Sequence, residues 1–130
     1  MSEGKTLAVG VDLCGIGRME RAIANPRFLE RVFTEAERGR IGERKGRAAA
    51  ERAAASFAAQ EAAAKALGTG FSGGVMPGQI GVVYGTEGRP ALRLSGAAEE
   101  KMRALGGQSI LISLSHDGDL AAAFAVLVGQ

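Results

Sequence analysis

Tryptophan is absent from this 130-residue chain, and aromatic residues amount to only 5% of it. A core without large rings must be filled by small side chains, and alanine and the 20 glycines are what the chain offers. Such a chain buries little surface per residue, so oligomerisation would help it. Cysteine occurs once, at Cys14, which rules out an internal disulfide and a Cys-rich zinc site and fits a reducing compartment. No apolar run approaches roughly 18 residues, and the amino terminus lacks the basic–apolar–small pattern of a secretory signal. A cytoplasmic protein with no membrane partner is the expectation. Charge of one sign is also lacking: the net charge is +2, and basic residues nowhere interleave with stacking aromatics, which argues against nucleic acid as a partner.

What is present reads as a single α+β domain over residues 1–130, with one long helix packed on a mostly antiparallel sheet. Leu7, Val9, Val11 and Leu13 alternate with Ala8, Gly10 and Asp12, the period of a strand that is apolar on one face. Asn25-Pro26 is a helix start, with Asn as N-cap and Pro in the first turn. Thr34-Glu35-Ala36-Glu37 reads as a capping box opening the next helix. An alanine-rich segment over 46–67 has very high helix propensity, and Gly68 ends it before a glycine-rich loop. Residues 80–84 and 91–94 read as paired strands around a Gly85–Gly88 turn, and 96–105 as a short helix. Residues 109–115 and 120–128 form a hairpin around Asp117-Gly118-Asp119.

The chemistry-bearing residues each have a plain alternative. Asp12 ends an apolar strand, where an aspartate commonly caps the following turn. Glu61 and Lys65 are one helical turn apart, and a surface pair at that spacing contributes about 0.2–0.5 kcal/mol. Yet Phe57, Ala58, Ala62, Ala63, Ala66 and Leu67 surround them, so the helix can pack on most sides, where charge is costly unless used. His116, the only histidine, follows Ser113 and Ser115, which share one strand face. A serine triad fits poorly, since no G-x-S-x-G elbow is present. Gly68-Thr69-Gly70 follows a helix instead of opening one, so it is no Walker loop.

Order along the chain carries more. Val9-Gly10-Val11-Asp12-Leu13 with Arg18, then Phe57-Ala58-Ala59-Gln60-Glu61-Ala62-Ala63-Ala64-Lys65-Ala66-Leu67-Gly68-Thr69-Gly70, then Ser113-Leu114-Ser115-His116 resemble the three blocks of the phosphopantetheinyl transferases. They are most similar to the small bacterial holo-acyl-carrier-protein synthase branch, and Phe28, Arg31, Thr34, Glu37 and Gly88–Leu92 extend the likeness. The resemblance implies transfer of 4′-phosphopantetheine from coenzyme A to a serine of an apo acyl carrier protein, releasing 3′,5′-ADP. It implies Mg2+ held by Asp12 and Glu61, with Lys65 neutralising a phosphate or protonating the leaving group. Either Glu61 or a metal-bound water would take the serine proton. Coenzyme A would be met by Lys65, Gly68, Thr69, Gly70, Arg47, Ser115 and His116, with Arg44 and Lys45 near the 3′-phosphate or adenine. A homotrimer is implied, in which His116 serves a neighbouring subunit's site. Arg18, Arg21 and Arg27 would face the acidic carrier protein.

Two positions depart from that pattern. Gln60 and Ser56 stand where the branch carries basic residues, which predicts lost phosphate pairing, a shift of that pairing onto Arg47 and Arg52, and a Gln60→Lys variant with altered use of coenzyme A. Two readings compete: a metal-dependent phosphohydrolase using the same acids, and a non-catalytic relative that only docks a carrier protein or nucleotide.

Overall fold

The computed structural model describes residues 4–130. Strand β1 (Lys5–Gly15) runs into helix α1 (Ile16–Ala22), followed by α2 (Pro26–Val32), α3 (Glu35–Gly42) and the long α4 (Gly46–Ala66). A 3-10 turn at Pro77–Gln79 leads to β2 (Ile80–Tyr84) and β3 (Pro90–Leu94), then α5 (Gly96–Ala104), β4 (Gly107–Asp117) and β5 (Leu120–Gly129). The strands form two antiparallel sheets rather than one: β1-β5-β4 and a β2-β3 hairpin. The α+β class agrees with the expectation from the sequence, while the single sheet expected there is two.

Local signals explain most element starts. Asn25 accepts a hydrogen bond from the Arg27 amide, with Pro26 in the first turn of α2. Thr34 and Glu37 exchange the two bonds of a capping box at α3. Gly68, with φ of 80°, closes α4, and the amides of Thr69 and Gly70 both return to the Ala64 carbonyl.

One contact sets the geometry of everything else. The alanines of α4 lie against Ala121, Ala123 and Ala125 of β5 and against the small-residue face of β1. A Cβ placed on Gly10 would fall onto the Ala62 carbonyl oxygen, so glycine there is what lets the helix backbone reach the strand. The larger side chains of β1 therefore point the other way. Leu7, Val9, Val11 and Leu13 are exposed on the outer sheet face, up to 61% for Leu13, alongside Leu111 and Phe124. The tiny-residue face is the buried one.

Candidate active site

Asp12 follows Gly10 by two residues on the same strand face, so the close approach of β1 to α4 delivers its carboxylate to the helix. Lys65 Nζ donates to Asp12 Oδ1 at 3.0 Å and to the Val11 carbonyl at 3.0 Å. Asp12 thus caps no turn, and the partner of Lys65 is Asp12 across the interface and not Glu61 along its own helix. Glu61 lies one turn before Lys65, half-buried. Its pKa is raised by burial first and by the Asp12 charge second, with Lys65 pulling it back. Two carboxylates that feel each other at one spot, beside an ammonium, form a hard-oxygen donor pair suited to a divalent cation that takes the rest of its shell from phosphate and water. Among the described residues no cluster of three or more metal-ligating side chains occurs, so a cation held here would rest on these two.

The structure divides the residues expected to meet coenzyme A into two groups. Lys65, Gly68, Thr69 and Gly70 lie at the C-terminal end of α4 with the acid pair. Arg47 sits in its first turn, about 27 Å away along the axis by the helical rise. Its guanidinium is bonded to Asp119 Oδ1 at 2.9 Å and the Gly118 carbonyl at 2.8 Å. His116 is on this far side too, with Nδ1 3.9 Å from Glu51 Oε2, ten residues or about 15 Å along α4 from Glu61. Ser113 and Ser115 share the exposed outer face of β4, as their spacing predicts, while His116 turns toward the helix.

Arg18, Arg21 and Arg27 are exposed on α1 and α2. Arg18 also borders a small cavity of about 140 Å3 with Leu13, Met19, Phe28 and Phe57. The cysteine beside it is inert: burial first, and Asp12 second, push the Cys14 thiol up to about 11.

The reading of Gln60 and Ser56 as lost phosphate contacts is corrected. Gln60 is fully buried, and its Nε2 donates to the Val32 carbonyl at 2.9 Å and to Glu37 Oε1 at 3.1 Å. Ser56 is buried beside the same carboxylate, so both side chains face the core and not a ligand. Glu37 also receives the Val82 amide at 2.9 Å, tying α3 to β2 and α4. Sequence reasoning missed one residue outright. Asp119 accepts from the Gly17 amide at 3.0 Å through its side chain and from the Ile16 amide at 2.8 Å through its carbonyl, capping α1 from 102 positions away while it holds Arg47.

Comparison with known proteins agrees with this arrangement. Residues 8–125 match the 4′-phosphopantetheinyl transferase superfamily. A holo-[acyl-carrier-protein] synthase of Gluconobacter oxydans is 46% identical over 127 residues, covering 93% of this chain and 81% of the relative. One from Herpetosiphon aurantiacus is 44% identical, covering 95% and 99%. Among solved structures, the synthase of Bacillus anthracis in complex with CoA (3′,5′-ADP) superposes with a TM-score of 0.80 at 31% identity, over 96% of this chain and 98% of that one. The Helicobacter pylori enzyme in complex with coenzyme A gives 0.78 at 29%, over 92% and 98%. With blocks, fold and relatives in agreement, the chain belongs to the 4′-phosphopantetheinyl transferase superfamily and is an enzyme of its holo-[acyl-carrier-protein] synthase type.

Proposed function

We propose that this chain transfers 4′-phosphopantetheine from coenzyme A to a serine of an apo acyl carrier protein, with Asp12 and Glu61 holding Mg2+. The carrier serine oxygen forms a bond to the phosphorus bearing the pantetheine arm, and the bond from that phosphorus to the 3′,5′-ADP oxygen breaks. The cation, when bound, offsets the charge of the diphosphate that would otherwise repel the nucleophile. Lys65 keeps two of its three N–H groups on Val11 and Asp12, and the third is free to meet a phosphate oxygen or protonate the departing 3′,5′-ADP. Either Glu61 or a water on the cation would receive the serine proton, and both lie at the same spot beside Asp12. The single observation that carries the reading is the Asp12–Glu61–Lys65 cluster formed where Gly10 admits α4.

A trimer with shared sites completes the proposal. Within one chain His116 and Arg47 are too far along α4 to join the acid pair, and the outer sheet face exposes Val9, Val11, Leu13, Leu111 and Phe124. Packing those faces together would bring one subunit's hairpin to its neighbour's acids. Exposed Arg18, Arg21 and Arg27 then supply positive charge for an acidic carrier surface.

The test is to incubate the protein with apo carrier protein, coenzyme A and magnesium and to weigh the carrier by mass spectrometry. The expected result is a gain of one phosphopantetheine, lost on chelation and in Glu61→Ala. No gain with any of several carrier proteins would sink the reading.

A further inference from the structure

The turn between β4 and β5 ties three elements together. The ladder sets Gly15 opposite Leu120, so Asp119 stands over the junction where β1 runs into α1. Helix α1 has seven residues, no acidic residue in its first turn and no side-chain bond from its own N-cap. A helix that short does not hold its shape unaided. Asp119 supplies the missing acceptors from outside: its carbonyl takes the Ile16 amide at 2.8 Å and its Oδ1 the Gly17 amide at 3.0 Å. Glycine at position 17 leaves room for this, since a Cβ there would stand 3.4 Å from the same oxygen. Asp119 is anchored in turn by the Arg47 fork, which reaches from the first turn of α4 to Oδ1 at 2.9 Å and to the Gly118 carbonyl at 2.8 Å. The Arg47 bond first and the Gly17 amide second hold its carboxyl below the ordinary aspartate range.

What this chain of bonds holds still is the helix that carries Arg18 and Arg21. The two are exposed and three residues apart on one face, and α1 begins four residues after Asp12. Its opposite side is fixed by Ile16 and Met19, both buried. Charges recognise an acidic partner at low cost only when they already keep their places. The Asp119 side chain is 62% exposed and fills no part of the core. Among the described residues its bonds go to α1 and Arg47, and none reaches Asp12, Glu61 or Lys65. We propose that Asp119 is a positioning residue for the acceptor: by capping α1 from a turn clamped to α4, it holds Arg18 and Arg21 where an acidic carrier protein docks. The proposal rests on the carrier protein being the acceptor and on those arginines facing it.

Variants at position 119 test it. In Asp119→Ala the KM for an apo carrier protein should rise at least about fivefold, because docking must then order α1, while kcat at saturating carrier stays within about twofold of wild type. A merely structural loss would lower the folded fraction, and with it kcat, and leave that KM where it was. Asp119→Asn keeps an oxygen for the Gly17 amide and should restore a KM within about twofold of wild type. Hydrogen exchange reads the same effect without substrate. The Ile23 amide, bonded to the Met19 carbonyl at 2.9 Å at the far end of α1, should exchange faster in Asp119→Ala while the amides of α4 keep their rates. If Asp119→Ala does not fold, Asp119→Gln, whose oxygen lies one bond too far out, carries the test with the same expected rise. An unchanged carrier KM, or an asparagine variant no better than the alanine one, overturns the proposal. Failure of the functional reading looks different. Calorimetry in which Asp119→Ala binds the apo carrier more weakly than wild type, with neither protein transferring the arm, would leave the docking role standing and remove the transferase activity.

Discussion

Glu61 and Asp12 interact through space, and the sign of that interaction can be measured. Burial and the Asp12 charge hold the Glu61 pKa above the ordinary carboxylate value in the metal-free protein, so Glu61 takes a proton at higher pH than an ordinary carboxylate and the proton competes with a cation for it. At limiting Mg2+ activity should therefore fall as pH drops, and raising Mg2+ should move the fall to lower pH. Removing the neighbouring charge in Asp12→Asn should lower the Glu61 pKa, seen by NMR titration of its side-chain carboxyl in metal-free protein. An unchanged or higher value would mean that the two acids do not share a site. A second acid behaves differently. Glu37 is raised by burial, opposed by its hydrogen bonds, and its neighbour Gln60 brings no charge. An acid whose folded pKa is raised stabilises the fold below its unfolded value of 4.5, and that contribution is lost as pH rises through the folded value. Gln60→Lys would give Glu37 a cationic partner, so the fall in unfolding free energy with rising pH should flatten while KM for coenzyme A stays as it was. A KM shift with an unaltered stability slope would return Gln60 to the ligand site. The sequence shows Gln60 one residue from Glu61 but not that successive helix positions point about 100° apart, one to the core and one to the site.

At the scale of elements, the capped helices, the hairpins and the Asp12–Glu61–Lys65 cluster were all legible, because each depends on residues close in sequence or on an ordered motif. Helix α1 was not. It has no side-chain cap of its own, it contains Gly17, and its first amides are satisfied by Asp119 from the distant hairpin turn. The orientation of β1 was equally hidden. Alternation identifies two faces, but apolarity alone favours burying Val9, Val11 and Leu13, and here the opposite face is chosen because only tiny residues fit beneath an alanine helix. Gly10→Ala tests that choice. The added methyl meets the Ala62 carbonyl and Ala66 amide, backbone atoms that cannot swing aside. Overpacking of this kind typically costs about 1–3 kcal/mol, so the melting temperature should drop by several degrees. Activity should drop in the protein that remains folded, since separating β1 from α4 draws Asp12 away from Lys65. Wild-type stability in this variant would show that the strand and helix are not held at this contact.

For the whole molecule, mixing variants can tell the proposed trimer with shared sites from a self-sufficient monomer. Glu61→Ala removes the acid half of a site and leaves the His116 half, while His116→Ala does the reverse. If each site lies within one chain, a mixture of the two inactive proteins stays inactive at any ratio. If sites form between neighbours around a three-fold ring, every mixed trimer holds one interface with both halves intact. Random co-assembly of equal amounts, after dissociation and reassembly, should then restore roughly a quarter of the wild-type sites, because three trimers in four are mixed and each has one good interface in three. Phe124→Lys together with Val11→Lys places charge on the face that such a trimer buries, so the variant should sediment as a smaller species and fail to complement either partner. Activity recovered from the mixture, but lost when this face is charged, would tie catalysis to assembly. A mixture that stays silent while wild-type protein sediments as a monomer would overturn the shared site and leave His116, beside Glu51 on α4, outside the site of the acid pair.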